Sequence, residues 1–151
     1  RLAMTAAETG HLVFATLHTT SAALTINRII DVFPAAEKDM IRSMLSDSLQ
    51  AVVSQTLLKK VGGGRIAAHE IMIGTPAVRN LIRENKVAQI YSVIQTGNAF
   101  QMKTLDQSLS ALVDEEVISL ETALEKAVSP KNISKYERHS HTLPSFSEFS
   151  K

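Results

Sequence analysis

Three consecutive glycines, Gly62-Gly63-Gly64, separate two runs of apolar and β-branched residues, and neither a helix nor a strand continues easily through such a triplet. The run before it is Val52-Val-Ser-Gln-Thr-Leu-Leu-Lys-Lys60, and the run after it is Arg65-Ile-Ala-Ala-His-Glu-Ile-Met-Ile73. Two strand-like segments joined by a glycine-rich turn fold back on each other, so an antiparallel hairpin is predicted here. Gly74-Thr75-Pro76 follows at once, with Thr75 as cap and Pro76 at the first helical position of the segment Ala77-Val-Arg-Asn-Leu-Ile-Arg-Glu84. The centre of the chain is therefore a hairpin that runs directly into a helix.

Upstream, residues 1–10 read as the end of a helix closed by Gly10, and without an initiator Met further chain is expected before Arg1. His11-Leu-Val-Phe-Ala-Thr-Leu17 suits a strand buried on both faces of a mostly parallel sheet. Ser21 or Thr20 caps a helix with Ala22, Ile26, Ile29 and Ile30 at helical spacing. Pro34 opens the next helix, with Glu37 in its first turn and Met40, Ile41, Met44, Leu45, Leu49 and Val52 on its apolar face.

Downstream, a helix is predicted from about Lys86 to near Gly97. A capping box, Thr104-x-x-Gln107, precedes Leu105, Leu109, Leu112 and Val113. Ser119 caps a last helix with Leu120, Leu124 and Val128 inward, and Pro130 stops it. Beyond Pro130 the chain is polar, rich in Ser and Lys, and reads as a mobile tail.

With 151 residues and 44% hydrophobic positions the chain can bury one ordinary core. A formal net charge of +1 and scattered basic residues leave no footprint for a phosphate backbone, so nucleic acid is not an expected partner. The absence of cysteine excludes disulfides, thiolate zinc sites and a Cys nucleophile, and is compatible with a reducing compartment. No run approaches the ~18–20 apolar residues of a bilayer-spanning helix, and no secretory leader is visible. A soluble, cytoplasmic protein is expected.

Candidate chemistry centres on Gly10-His11-Leu-Val-Phe-Ala-Thr-Leu-His18-Thr19. In an open α/β sheet, ligands sit beyond the carboxyl ends of the strands, where His18 and Thr19 would emerge. His11 would lie at the opposite strand end, so the two histidines would not share one small ligand. On the residues alone, a capping histidine at each end of a strand is the simpler reading. Arg79 and Arg83, one helical turn apart beside Asn80 and Glu84, form a charged ridge or simply a solvated face over Val78, Leu81 and Ile82. His69-Glu70 fails as a zinc motif because Ile73 stands where the second His is needed. His139 and His141 carry no assigned function, and no metal site is expected. No G-x-x-x-x-G-K-[ST] occurs, since Gly62-Gly63-Gly64 precedes Arg65-Ile66 and Lys103-Thr104 lacks the glycines.

The run Thr5-Ala-Ala-Glu-Thr-Gly-His-Leu-Val-Phe-Ala-Thr-Leu-His-Thr19 resembles the junction from the Walker B region into the histidine box of the secretion ATPases, the superfamily of type II secretion and type IV pilus motors. Ser48-Leu-Gln-Ala-Val-Val-Ser-Gln-Thr-Leu-Leu58, Ala68-His-Glu-Ile-Met72, Gly74-Thr-Pro-Ala-Val-Arg-Asn-Leu-Ile-Arg-Glu84 and Thr104-Leu-Asp-Gln107 are similar to its twitching-motility, type IV pilus retraction branch. The absence of the cysteine-rich zinc module of the secretion branch favours the same side. The resemblance implies an α/β fold: the C-terminal part of a RecA-like P-loop ATPase core over 1–97, a C-terminal helical subdomain over 98–130 and a tail over 131–151.

It implies, further, that His18 belongs to the histidine box on the γ-phosphate side, with His11 supporting it and Thr19 beside the nucleotide. Arg79, Asn80, Leu81, Ile82, Arg83 and Glu84 would serve retraction rather than nucleotide binding. ATP and Mg2+ are the family's cofactors, but without Walker A and Walker B this stretch is not expected to bind them tightly or to be active alone. A homo-hexamer is implied, working with an inner-membrane pilus platform protein. It would lie in the cytoplasm at the base of the pilus machine and touch the membrane only through partners. Two alternatives stay open: a nucleotide-free interaction module, and a related accessory, assembly or type II secretion ATPase.

Overall fold

Most elements begin and end where local backbone chemistry requires. The structure, a computed structural model, describes residues 1–133, so nearly all of the segment read as a tail, with His139 and His141, lies outside the described residues. Helix α1, Leu2–Glu8, ends as expected at Gly10, whose φ of +90° suits a residue without a side chain. The Gly10 amide donates to the Ala7 carbonyl at 3.1 Å and the His11 amide to that of Ala6 at 3.0 Å, the double closure of a glycine-terminated helix. Helix α2, Ala22–Asp31, starts at Ser21, whose Oγ accepts the Leu24 amide.

Pro34 does not open the next helix. Its ψ of 150° keeps it outside, a short 3-10 turn covers Ala35–Glu37, and α3 runs from Lys38 to Ser48. Ile41 and Leu45 form its buried stripe, whereas Met40 is half exposed. Leu49 leaves the helix at ψ 124°, and Val52, expected on the same helical face, lies in the following strand, where β-branched residues fit better.

The hairpin forms as predicted, with β1 over Ala51–Lys59 and β2 over Arg65–Ile73 paired in a two-stranded sheet. Its turn explains the glycine triplet: Gly62, Gly63 and Gly64 have φ of +84°, +106° and +78°, and the Lys60 amide closes onto the Gly64 carbonyl at 3.1 Å. Successive left-handed residues are costly for any side chain. Helix α4, Pro76–Arg83, starts at Thr75, whose Oγ1 accepts the Val78 amide. A 3-10 turn, Val87–Gln89, leads into α5, Ile90–Gln95, and α6 spans Leu105–Asp114. Helix α7, Leu120–Lys126, is capped by Ser119, whose Oγ accepts the Thr122 amide at 3.1 Å.

Two further expectations fail. Residues 11–17 form no strand, and Leu12 and Phe14 are 78% and 89% exposed. A strand needs neighbours for its backbone groups and layers for both faces, and among the described residues the sheet contains only β1 and β2. Val128 does not turn inward either and is exposed, because α7 has ended at Lys126 and the amides of Val128 and Ser129 are drawn to a buried carboxylate, Asp106.

The chain is thus a mixed α/β fold with an antiparallel hairpin, and it divides into two compact units. One comprises Arg1–Gln55 and His69–Thr104, the other Thr56–Ala68 and the chain from Leu105 on. The hairpin tip belongs to the second unit, which takes up the chain again after Thr104. The core of the first unit joins Ile26 and Ile30 of α2, Ile41 and Leu45 of α3, Met72 of β2, Val78 and Ile82 of α4, and Ile90 and Ile94 of α5. That of the second joins Leu58 and Ala68 to Leu105, Leu109 and Val113 of α6, Ile118, Ala123 of α7, and Ile133. Each fully buried aliphatic side chain contributes about 1.5–3 kcal/mol of transfer free energy. Among the described residues no helix is long and apolar enough to cross a membrane.

Candidate functional site

The corner that carries His18 and Thr19 is held by the first turns of α2. The Ser21 carbonyl accepts both the Thr25 amide at 3.0 Å and the Thr25 hydroxyl at 2.9 Å. Thr25 Oγ1 lies 2.6 Å from Thr19 Oγ1. Since the single Thr25 hydroxyl proton goes to Ser21, Thr19 is the donor of that pair and has no proton left for a phosphate. Arg28 Nη1 donates to the His18 carbonyl at 2.7 Å and fixes that peptide from α2's second turn. Another anchor comes from β2: Glu70, 3% exposed, accepts the Ala22 amide on Oε1 at 2.8 Å.

The His18 side chain stands outside this network. It is exposed, and its imidazole makes no hydrogen bond among the described residues. It opens onto a depression of about 490 Å³ bordered by Thr19 and Thr20 and by Leu24, Asn27, Arg28 and Asp31 of α2. That volume suits a small ligand. Asp31 is paired with Lys38 at 2.6 Å and Arg28 Nη1 with the His18 carbonyl, whereas the imidazole makes no such bond and faces the depression beside Thr20 and Asn27.

A helix N-terminus commonly cradles phosphate, but that of α2 is already engaged, its Ala22 amide by Glu70 and its Leu24 amide by Ser21. A buried carboxylate there opposes a second anion. Among the described residues no group of three or more His, Asp or Glu is placed to hold a metal.

His11 is placed differently. Its Nδ1 lies 3.2 Å from the Ala6 carbonyl and 3.1 Å from Thr9 Oγ1. A carbonyl only accepts, so the geometry assigns the proton to Nδ1 and gives His11 the task of closing α1. No contact joins it to His18.

The six residues expected to serve retraction split into two groups. Ile82 is fully buried and Leu81 partly so, which makes both core residues. Arg79 turns back into its own unit. Its Nε donates to the Gly74 carbonyl at 2.7 Å, and its Nη1 donates to the Ser46 carbonyl at 2.7 Å and to that of Asp47, at the end of α3. Cationic donors suit the open carbonyls of a helix C-terminus. The exposed part is Asn80, Arg83 and Glu84: Arg83 pairs with Asp47 at 2.8 Å, and Asn80 donates to Glu84 at 3.0 Å. Lys86, bonded to Glu84 at 2.7 Å, holds its carboxyl below the usual carboxylate range, helped by Asn80.

Sequence reasoning misses Glu70, weighing it only as part of a zinc motif. A signal exists nonetheless: in β2 the inward row is Ala68, Glu70 and Met72, and a carboxylate in an apolar register demands a buried partner.

Residues 1–63 match the family described as Type II/IV secretion system protein. The chain is 71% identical over 132 residues to the type IV pilus retraction ATPase PilT of Pseudomonas aeruginosa, covering 87% of this chain and 38% of that protein. It is 63% identical over 134 residues to a twitching motility protein of Neisseria gonorrhoeae, covering 88% of this chain and 36% of that one. A crystal structure of the pilus retraction motor PilT with bound ADP superposes with a TM-score of 0.77 at 48% identity, covering 89% of this chain and 37% of the other. The chain thus spans a little over a third of the relatives it matches. Its sequence motifs, its hairpin-and-helix fold and these likenesses together make the chain a homologue of part of the PilT-type pilus retraction ATPases, within the type II/IV secretion family.

Proposed function

We propose that this chain contributes the sensor side of a nucleotide site in a hexameric motor that hydrolyses ATP to retract type IV pili. The observation that carries the reading is the contrast at His18, whose backbone is clamped while its imidazole is left free at the mouth of a ligand-sized depression. Phosphoryl transfer asks of a protein chiefly positioning and charge stabilisation, and a preorganised donor aimed at the terminal phosphate supplies both. The phosphate cradle, the acid that holds Mg2+ and the Mg2+ itself come from outside these residues. In this reading Thr19 braces His18 through Thr25 instead of touching nucleotide, and His11 supports the corner at a distance by ending α1.

Asn80, Arg83 and Glu84 are the part of the α4 ridge available to a neighbour, and they fit a role in transmitting retraction to a second copy or to the inner-membrane platform protein. The motor would then work in the cytoplasm, at the membrane, through its partners. Replacing His18 by Ala in the natural full-length protein is expected to lower ATP turnover by about tenfold or more while leaving stability unchanged. A steady-state ATPase assay beside a thermal melt measures both, and unchanged turnover would remove His18 from the site.

A further inference from the structure

The corner that holds His18 is braced mostly from within. Ser21, Thr25 and Arg28 all belong to the turn or to α2 itself, so they would travel with the segment if it moved. At the start of α2 a bond reaches out of it: Glu70, 48 residues away on β2, accepts the Ala22 amide, the first of the helix, whereas the Asp31–Lys38 pair lies at the helix's far end. Ala22 is fully buried and Glu70 nearly so.

We propose that Glu70 is the positioning residue for the His18–Thr20 segment, fastening the start of α2 to the hairpin by one buried carboxylate-to-amide bond. This rests on the reading of His18 given above. An apolar residue would satisfy the inward row of β2, with Ala68 and Met72 on either side. A serine already caps α2, so the carboxylate is not needed to start the helix. What it adds is a reference point. Ala22 lies four residues after His18, and a displacement of about an ångström at a catalytic group is enough to cost up to ~100-fold in rate. The carboxylate also sits where a helix dipole favours negative charge, which makes the burial tolerable without a cationic partner.

Two conservative substitutions separate reach from charge in the natural full-length protein. Glu70→Gln keeps an oxygen at the same distance and loses the charge, whereas Glu70→Asp keeps the charge and falls one methylene short. Glu70→Asp should speed amide hydrogen exchange over residues 18–25 by about tenfold, with protection of the hairpin unchanged. It should also lower kcat for ATP about tenfold with KM within about twofold. Glu70→Gln should behave like the parent in both.

Unchanged exchange in Glu70→Asp would overturn the proposal. So would an equal loss in Glu70→Gln, which would make charge and not reach the operative property. Faster exchange with full turnover, where His18→Ala lowers turnover, would overturn it as well. If His18→Ala is itself silent, the histidine reading fails, and the exchange difference between the two Glu70 variants still decides whether Glu70 fastens the segment.

Discussion

Each compact unit contains a buried carboxylate that binds backbone amides, and the two are used differently. Asp106, fully buried at the start of α6, accepts the Val128 amide at 2.7 Å, the Ser129 amide at 2.9 Å and the Asn132 side-chain amide at 2.9 Å. It fastens the turn that follows α7, with several donors on one acceptor group. Glu70 makes a single bond to the chain that leads back to a free imidazole. A carboxylate saturated with donors reads as a structural fastening. One whose buried charge meets a single amide, four residues after an unpartnered histidine, fits the positioning role proposed for Glu70.

Substitutions separate the two carboxylates by the size and kind of their effects. Asp106→Ala leaves the part-buried amides of Val128, Ser129 and Asn132 without their acceptor and is expected to lower stability by about 2–3 kcal/mol, with ATP turnover per folded molecule unchanged. Chemical denaturation read alongside active-fraction turnover measures this. A comparable loss of turnover in the folded fraction would erase the distinction between the two carboxylates. His18→Ala is the mirror case, with lost turnover and retained stability.

Arg79→Ala comes next. It frees the carbonyls at the end of α3 and is expected to cost roughly 1–2 kcal/mol by denaturation. Any loss of retraction in that variant would therefore be mixed with lost stability. Arg83→Ala removes only an exposed pair with Asp47 and should cost less than about 0.5 kcal/mol, so it is the cleaner probe of the retraction surface. Retained turnover with impaired pilus retraction supports the surface, and normal retraction in Arg83→Ala removes Arg83 from it.

The smallest effect is local. Lys86→Met should let the Glu84 carboxyl titrate at higher pH, read by NMR titration, because its main hydrogen-bond donor is gone. The sign follows from a depressed carboxylate: its contribution is present above the unfolded-state value and fades as pH falls through the folded-state value. No change would mean that Lys86 does not set the Glu84 proton affinity in solution.

Chemistry confined to a few neighbouring residues is legible in the sequence alone. Ser21, Thr75 with Pro76, and Ser119 each start a helix because a side-chain oxygen meets an amide three residues on. Gly10 ends α1 and the glycine triplet reverses the chain because only glycine takes those φ values without strain. The candidate site is half legible: His18 is singled out by its place after an apolar run, whereas Glu70 stands out only once its register in β2 is known. Arg79 looks like part of an outward ridge because helical spacing says which residues share a face and not where a long side chain turns.

What the sequence determined by itself is therefore the run of caps, turns and apolar stripes, each a local matter of backbone angles and of hydrogen bonds spanning a few residues. Tertiary structure alone decided that residues 11–17 form no strand among the described residues, that Arg79 closes α3 from 33 positions away, and that Glu70 meets Ala22 across 48. A strand needs a neighbour and a buried charge needs a partner, and both are supplied by residues far along the chain that no local pattern specifies.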